Sequence, residues 1–304
     1  MFDLNAVNQV TILTILILVG FYAKKRGYIN DDVNKGLSDI LINITNPCLI
    51  LISFSFKFSR EMLGNIGRVI IYSTLIHIVL LILGKIMYTK HYDNDEQNIL
   101  KFLTLFSNCG FIGYPVLQGV YGNIAIFYAS IFSIPYNVLL WTYGIRLFSK
   151  KKGSTDLLKQ LFSPALISIF IGLIMFLFSI KLPYPIHRSI EMVGNMTAPI
   201  AMMITGVALA SIKVKDIFIG IKAYYPVISR LIILPAVIYV MLSVLKVDKF
   251  LMEICVIIEA MPPASLTVVF AESYESNVDF AAKCTFLSTI ISVITIPIVI
   301  SLVR

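Results

Sequence analysis

The chain has 304 residues, of which 58% are hydrophobic and 14% are charged, and its formal net charge is +8. A soluble globular domain is nearer half apolar and a quarter charged, so this composition excludes an ordinary soluble protein. The mean hydropathy of +0.87 indicates an all-α polytopic membrane protein, because segment after segment reaches the roughly 20 apolar residues that cross a bilayer.

Ten transmembrane helices are predicted, joined by short polar connections. The predicted spans are about 8–23, 37–56, 66–88, 100–120, 124–148, 162–180, 189–211, 219–245, 250–272 and 279–302. The polar connection at 149–160 divides the chain close to its midpoint.

Lysine and arginine are concentrated in the first, third, fifth and seventh loops, although the ninth loop is acidic. The positive-inside rule therefore places these odd loops in the cytoplasm and both termini outside the cell membrane. Since the basic residues lie in short loops, no nucleic acid is expected as a partner. The four cysteines fall within apolar segments and have neither zinc-site nor disulfide spacing, so no metal or other cofactor is expected.

The two halves of the chain share short motifs in the same order. Asn43-Ile-Thr-Asn-Pro47 in span two matches Asn195-Met-Thr-Ala-Pro199 in span seven. Gly113-Tyr-Pro115 in span four has a counterpart in Met261-Pro-Pro263 of span nine. Five spans is an odd number, so the second copy must enter the membrane from the opposite side. We therefore predict a 5+5 inverted repeat, residues 1–152 and 153–304, as in many secondary transporters.

Glycine and proline interrupt spans four and nine, at 107–122 and 257–267. Both residue types weaken a helix, and bare backbone is tolerated at membrane depth only inside protein or beside water. Matched interruptions predict broken helices around a substrate site, with half-helix N-termini suited to a carboxylate. The alternative is a pair of kinked, continuous helices. The candidate substrate-binding residues are Asn108, Gly113, Tyr114, Pro115, Pro262, Pro263 and Ser265.

Several polar residues within predicted spans have two interpretations each. Glu259 could take up a proton or bind a cation during transport, or it could be a structural carboxylate. Arg230 could pair with a carboxylate or extend to the membrane interface, and His77 is expected to be a packing residue. Pocket contacts or interhelical hydrogen bonds would equally explain a set of asparagines, namely Asn43, Asn46 and Asn195.

Two other functional classes are alternatives to a transporter. An intramembrane enzyme would need a nucleophile with its base or a metal cluster, and no such motif occurs in the sequence, so the protein is not expected to be an enzyme. A membrane sensor that binds a ligand without moving it would require a separate output partner.

Asn108-Cys-Gly-Phe-Ile-Gly113-Tyr-Pro115 resembles the N-x₄-G-x-P crossover of the auxin efflux carrier family, which includes plant PIN carriers and bacterial permeases. Ala260 to Tyr274 and Leu287 to Pro297 resemble that family's last two spans. The resemblance implies a fold similar to the sodium/proton antiporter NhaA, with helices four and nine crossing at their breaks. It also implies a homodimer with an elevator mechanism, a scaffold of spans 1, 2, 6 and 7, and a transport domain of spans 3–5 and 8–10.

The resemblance implies a small organic anion as substrate, such as malonate, malate or an auxin-like acid, and places the asparagine motifs of spans two and seven on the scaffold side. Plant members have a long central loop that is absent here, and Glu259 has no equivalent acid in their pattern. This difference leaves open a variant coupled to protons or sodium, with Glu259 as its candidate residue. Sodium-coupled bile-acid symporters share the general architecture and are the alternative family.

Overall fold

The computed structural model describes residues 4–88, 92–149, 163–210 and 224–304. Six helices in this part of the chain are long and apolar enough to cross a membrane. They are α2 (Asp31–Ser53), α3 (Arg60–Met87), α6 (Asn123–Phe148), α8 (Tyr184–Ala210), α9 (Tyr224–Val244) and α12 (Val278–Val303). The protein is therefore a helical, multi-pass membrane protein, as its composition predicts.

The remaining described helices are α1 (Leu4–Lys25), α4 (Asn94–Leu105), α5 (Tyr114–Tyr121), α7 (Pro164–Leu177), α10 (Lys249–Glu259) and α11 (Leu266–Ser273). The described residues contain no strand, only one isolated bridge. Ten spans, the inverted repeat and the division into scaffold and transport domains stay predictions. The predicted central loop from residue 150 onward, the boundary at 152 and the seventh loop lie outside the described residues.

A wide, π-helical turn precedes a proline at three places in the described chain. The turns Leu41–Thr45, Cys109–Gly113 and Ser229–Ile233 are followed by Pro47, Pro115 and Pro235. Proline has no N–H to donate, and its ring collides with the carbonyl four residues earlier, which lies inside each of these turns. The wider turn relieves this collision, so the prolines reshape the helices without ending them.

By its internal contacts the chain forms two compact units. The first contains Met1–Ile70, Gly110–Ile131 and Phe162–Ile212. In it α1 packs directly against α8 through glycine: a Cβ atom on Gly20 would lie 2.1 Å from the Met203 carbonyl oxygen, and one on Gly206 would lie 1.9 Å from the Ile17 carbonyl oxygen. Small residues allow this close backbone approach between membrane helices.

The second unit contains Ile71–Cys109, Phe132–Leu161 and Lys213–Arg304. An aromatic cluster lies in its core, where the Phe102 ring centroid is 4.7 Å from Phe106, 5.2 Å from Phe148 and 5.4 Å from Phe270. These rings pack α4, α6 and α11 against one another. The cluster lies next to the point where α4 ends.

Candidate functional site

Two interrupted helices meet inside the second unit. Helix α4 ends at Leu105, and Phe106 adopts extended backbone with φ −116° and ψ 104°. Helix α10 ends at Glu259, and helical structure resumes only at Leu266. Pro262 and Pro263 cannot donate backbone hydrogen bonds, which explains the second interruption. We call residues 106–108 the first break and residues 260–265 the second break.

The two breaks bond to each other as a short antiparallel pair. Asn108 N donates to the Pro262 carbonyl at 2.7 Å, and Ala264 N donates to the Phe106 carbonyl at 2.8 Å. Ser107 and Pro263 lie opposite each other between these two bonds. A pair in this position exchanges no backbone hydrogen bond, so proline fits there at no cost. The pairing provides hydrogen-bond partners for backbone groups, which the hydrocarbon interior of a membrane cannot provide.

Side chains reinforce the pair. The Asn108 amide donates to Ser265 Oγ at 3.1 Å, which joins the first break to the start of α11. The hydroxyl of Tyr136 in α6 donates to the Ser107 carbonyl at 2.9 Å. Asn108 is 8% exposed, so its amide is close to fully buried. Of the predicted site residues, the structure brings Asn108, Pro262, Pro263 and Ser265 together.

Arg230 connects the helix ends on either side of the breaks. It lies in the wide turn of α9 and is 1% exposed. Its guanidinium donates to the Thr104 carbonyl at 2.7 Å, to the Met261 carbonyl at 3.2 Å and to Glu259 Oε2 at 2.9 Å. Thr104 lies in the last turn of α4, and Met261 lies just beyond α10. One cation thus faces two helix C-termini, which are the negative ends of the helix dipoles.

Glu259 has a second neighbour. Its Oε1 atom lies 4.0 Å from Nε2 of His77, and both side chains are fully buried. His77 comes from α3 and packs against the rings of Phe132 and Tyr136, with centroids 5.6 and 5.8 Å away. A buried cluster of Arg230, Glu259 and His77 therefore lies directly beside the breaks. We refer to these three residues as the charge cluster.

The other predicted site residues lie in the first unit. Gly113 ends the wide turn before α5, and Tyr114 and Pro115 are buried in the first turn of that helix.

The predicted scaffold-side asparagines also differ in their surroundings. Asn43 donates to the Asp39 carbonyl at 2.9 Å, which is a contact within its own helix.

Asn46 and Asn195 are the other two predicted asparagines of the first unit. Asn46 is 8% exposed, and its Oδ1 atom has no hydrogen-bond partner among the described residues. Asn195 Oδ1 accepts a bond from Gln118 of α5 at 3.5 Å. Asn46 thus keeps a free acceptor, whereas Asn195 forms an interhelical contact.

His77 packs against aromatic rings, as expected for a packing residue, but the sequence analysis did not link it to Glu259. A signal was available in the pattern of charges: His77, Arg230 and Glu259 each stand within an otherwise apolar segment. An isolated ionisable side chain is energetically costly inside a membrane, so such side chains tend to pair with one another. No group of three or more His, Cys, Asp and Glu residues that could hold a metal ion occurs in the described ranges.

Apolar spanning helices and a pair of hydrogen-bonded helix breaks beside buried charges are typical of membrane transport proteins. The family model described as "Membrane transport protein" matches residues 5–300. The chain therefore belongs to this family, the auxin efflux carrier family, and the resemblance of its motifs is confirmed.

Three relatives show the range of similarity. An uncharacterized transporter of Methanocaldococcus jannaschii is 27% identical over 95% of this chain and 96% of its own length. An uncharacterized transporter of Methanothermobacter thermautotrophicus is 24% identical over 98% of each chain. A putative malonate transporter of Rhizobium meliloti is 27% identical, over 47% of this chain and 44% of its own. The protein is a membrane transporter by family.

Proposed function

We propose that the protein is a secondary transporter for a small organic anion that carries at least one carboxylate. The observation that carries this proposal is the pairing of the two breaks, which brings the Asn108 amide next to Ser265 and the N-terminal end of α11. An amide N–H, a hydroxyl and the positive end of a helix dipole are suitable partners for a carboxylate. The Rhizobium relative is a putative malonate transporter, which supports a dicarboxylate as the first substrate to test.

The charge cluster supports an anion rather than a cation as the transported species. Arg230 already compensates Glu259, so the buried carboxylate lacks the free negative charge that would attract a cation. Asn108 and Ser265, which are neutral, are the proposed contacts for the substrate. Gly113, Tyr114 and Pro115 stay predicted substrate-binding residues, on the strength of their place in the family motif. Elevator-type alternating access, a homodimer in the cell membrane and extracellular termini complete the proposal.

Counterflow in proteoliposomes tests it, with malonate, malate and indole-3-acetate as substrates. We expect exchange of at least one of them, and Asn108→Ala should lower the transport efficiency about tenfold or more, since a hydrogen bond to a charged group contributes about 1.5–3 kcal/mol. Asn65→Ala is the matched control, because the Asn65 amide bonds to Arg68 of α3 and Tyr128 of α6, outside the two breaks. A folded Asn108→Ala protein with wild-type exchange would remove Asn108 from the site. Binding without flux would favour the sensor, and a chemically altered solute would favour an enzyme.

A further inference from the structure

The tautomer of His77 follows from its neighbours. Nδ1 lies 2.7 Å from the Ser73 carbonyl oxygen, and a carbonyl can only accept a hydrogen bond. The Ser73 hydroxyl donates its hydrogen to the Phe132 carbonyl at 2.7 Å, so it has none left for His77. Nδ1 must therefore carry the ring proton. In a neutral imidazole this leaves Nε2 as a bare lone pair.

That lone pair faces another acceptor. Glu259 Oε1 lies 4.0 Å from Nε2, and neither atom has a hydrogen-bond partner among the described residues. The other carboxylate oxygen is held by Arg230 at 2.9 Å. Two buried acceptors that face each other are both unsatisfied, and a single proton between them would satisfy both. Closing the gap to hydrogen-bond distance requires a movement of about 1 Å.

We propose that His77 Nε2 and Glu259 Oε1 form a binding site for one proton that is taken up together with the transported anion. The proton binds to the Nε2 lone pair and is donated to Oε1, and no covalent bond breaks. This inference rests on the proposed anion transport and specifies its coupling ion. It places the proton on the histidine, and the Glu259 carboxylate is the partner of Arg230.

The groups around His77 explain why proton and anion would bind together. The charged neighbours of His77 are Glu259, at 4.0 Å, and Arg230, which is bonded to Glu259. From α6, the neighbours are the rings of Phe132 and Tyr136, and Tyr136 contacts the first break through the Ser107 carbonyl. With a neutral histidine, the charge cluster has no net charge. With a protonated histidine its net charge is +1, which attracts an anion at the adjacent breaks. The bound anion in turn favours the proton, because linkage is reciprocal.

Nitrogen-15 NMR of histidine-labelled protein provides a direct test. The sequence has three histidines, so the double variant His91→Gln/His187→Gln leaves His77 as the sole signal. We expect the neutral Nδ1–H tautomer at about pH 8 without malonate, and the imidazolium at about pH 6 with saturating malonate. A ring that stays neutral over this range, with and without malonate, would overturn the proton site. Protonation that does not respond to malonate would overturn its coupling to the anion.

Binding measurements give a second readout. We expect malonate affinity in the wild type to rise about tenfold between about pH 8 and about pH 6, and in His77→Gln to change less than about twofold. An equal pH dependence in both proteins would also overturn the coupling. The proposed function fails separately, if none of the tested carboxylates shows counterflow. In that case a His77 ring that becomes an imidazolium as the pH falls from about 8 to about 5 without malonate would still support the proton site, and a ring that stays neutral would overturn it.

Discussion

Replacement of Arg230 by methionine is expected to lower the free energy of unfolding by about 3–5 kcal/mol, since it leaves a buried charge without its partner. The structure shows what is lost. The guanidinium is 1% exposed and lies 2.9 Å from Glu259 Oε2, which is fully buried. The same side chain donates to the Thr104 and Met261 carbonyls at 2.7 and 3.2 Å. Methionine retains similar bulk and supplies none of these donors.

A double-mutant cycle isolates the charge term from the loss of packing. The measurement is denaturant-induced unfolding of the purified protein in detergent micelles. We expect Arg230→Met/Glu259→Leu to be at least about 2 kcal/mol more stable than Arg230→Met alone, because the orphaned carboxylate is gone. The matched control is Arg188→Met, whose partner Glu191 lies 2.7 Å away but whose own side chain is 52% exposed. An exposed ion pair contributes little to stability, so Arg188→Met should change it far less than Arg230→Met. A loss below about 1 kcal/mol for Arg230→Met, or additive effects in the cycle, would refute the reasoning.

Two further substitutions test the packing of each unit by the same unfolding measurement. Gly206→Ala should lower stability by about 1–3 kcal/mol or more, because its Cβ would lie 1.9 Å from the Ile17 carbonyl oxygen. The control is Gly64→Ala, where a Cβ would meet nothing within 4 Å, and it should be neutral or slightly stabilising. Equal effects of the two substitutions would contradict the close contact at Gly206. Tyr136→Phe should lower the free energy of unfolding by about 1 kcal/mol, because the hydrogen bond to the Ser107 carbonyl is lost. The control is Tyr28→Phe at an exposed position, and an equal loss in both variants would show that this bond is dispensable.

The helices that cross the membrane could be predicted because each requires a long apolar segment, and such a segment is visible locally. The last predicted span, 279–302, agrees with Val278–Val303 within a residue at each end. The third begins earlier than predicted, at Arg60, because polar residues continue the helix beyond its apolar stretch. The second break, 260–265, lies within the predicted interruption at 257–267, where two prolines act on the backbone. The first break, 106–108, lies at the edge of the predicted 107–122 and contains neither glycine nor proline, while the helix continues through Pro115.

The charge cluster could not be assembled from the sequence. Arg230 donates to carbonyls 31 and 126 residues away, and no local pattern encodes which helix ends converge on it. Backbone carbonyls are also present at every position, so their involvement carries no sequence signal. The same applies to His77, whose orientation depends on a hydrogen bond that Ser73 makes to a different helix. Such arrangements are set by tertiary packing.

The commitment of Arg230 to Glu259 has a consequence for substrate recognition. An arginine free to bind a carboxylate in a dry site would hold it tightly, whereas a transporter must also release its substrate. In this protein the guanidinium is occupied by Glu259 and by two helix C-termini. The proposed contacts with the anion are then neutral donors such as Asn108 and Ser265, which bind more weakly. A proton on His77 would supply the missing positive charge only while that proton is bound. Its dissociation would therefore lower the affinity for the anion when the anion is released.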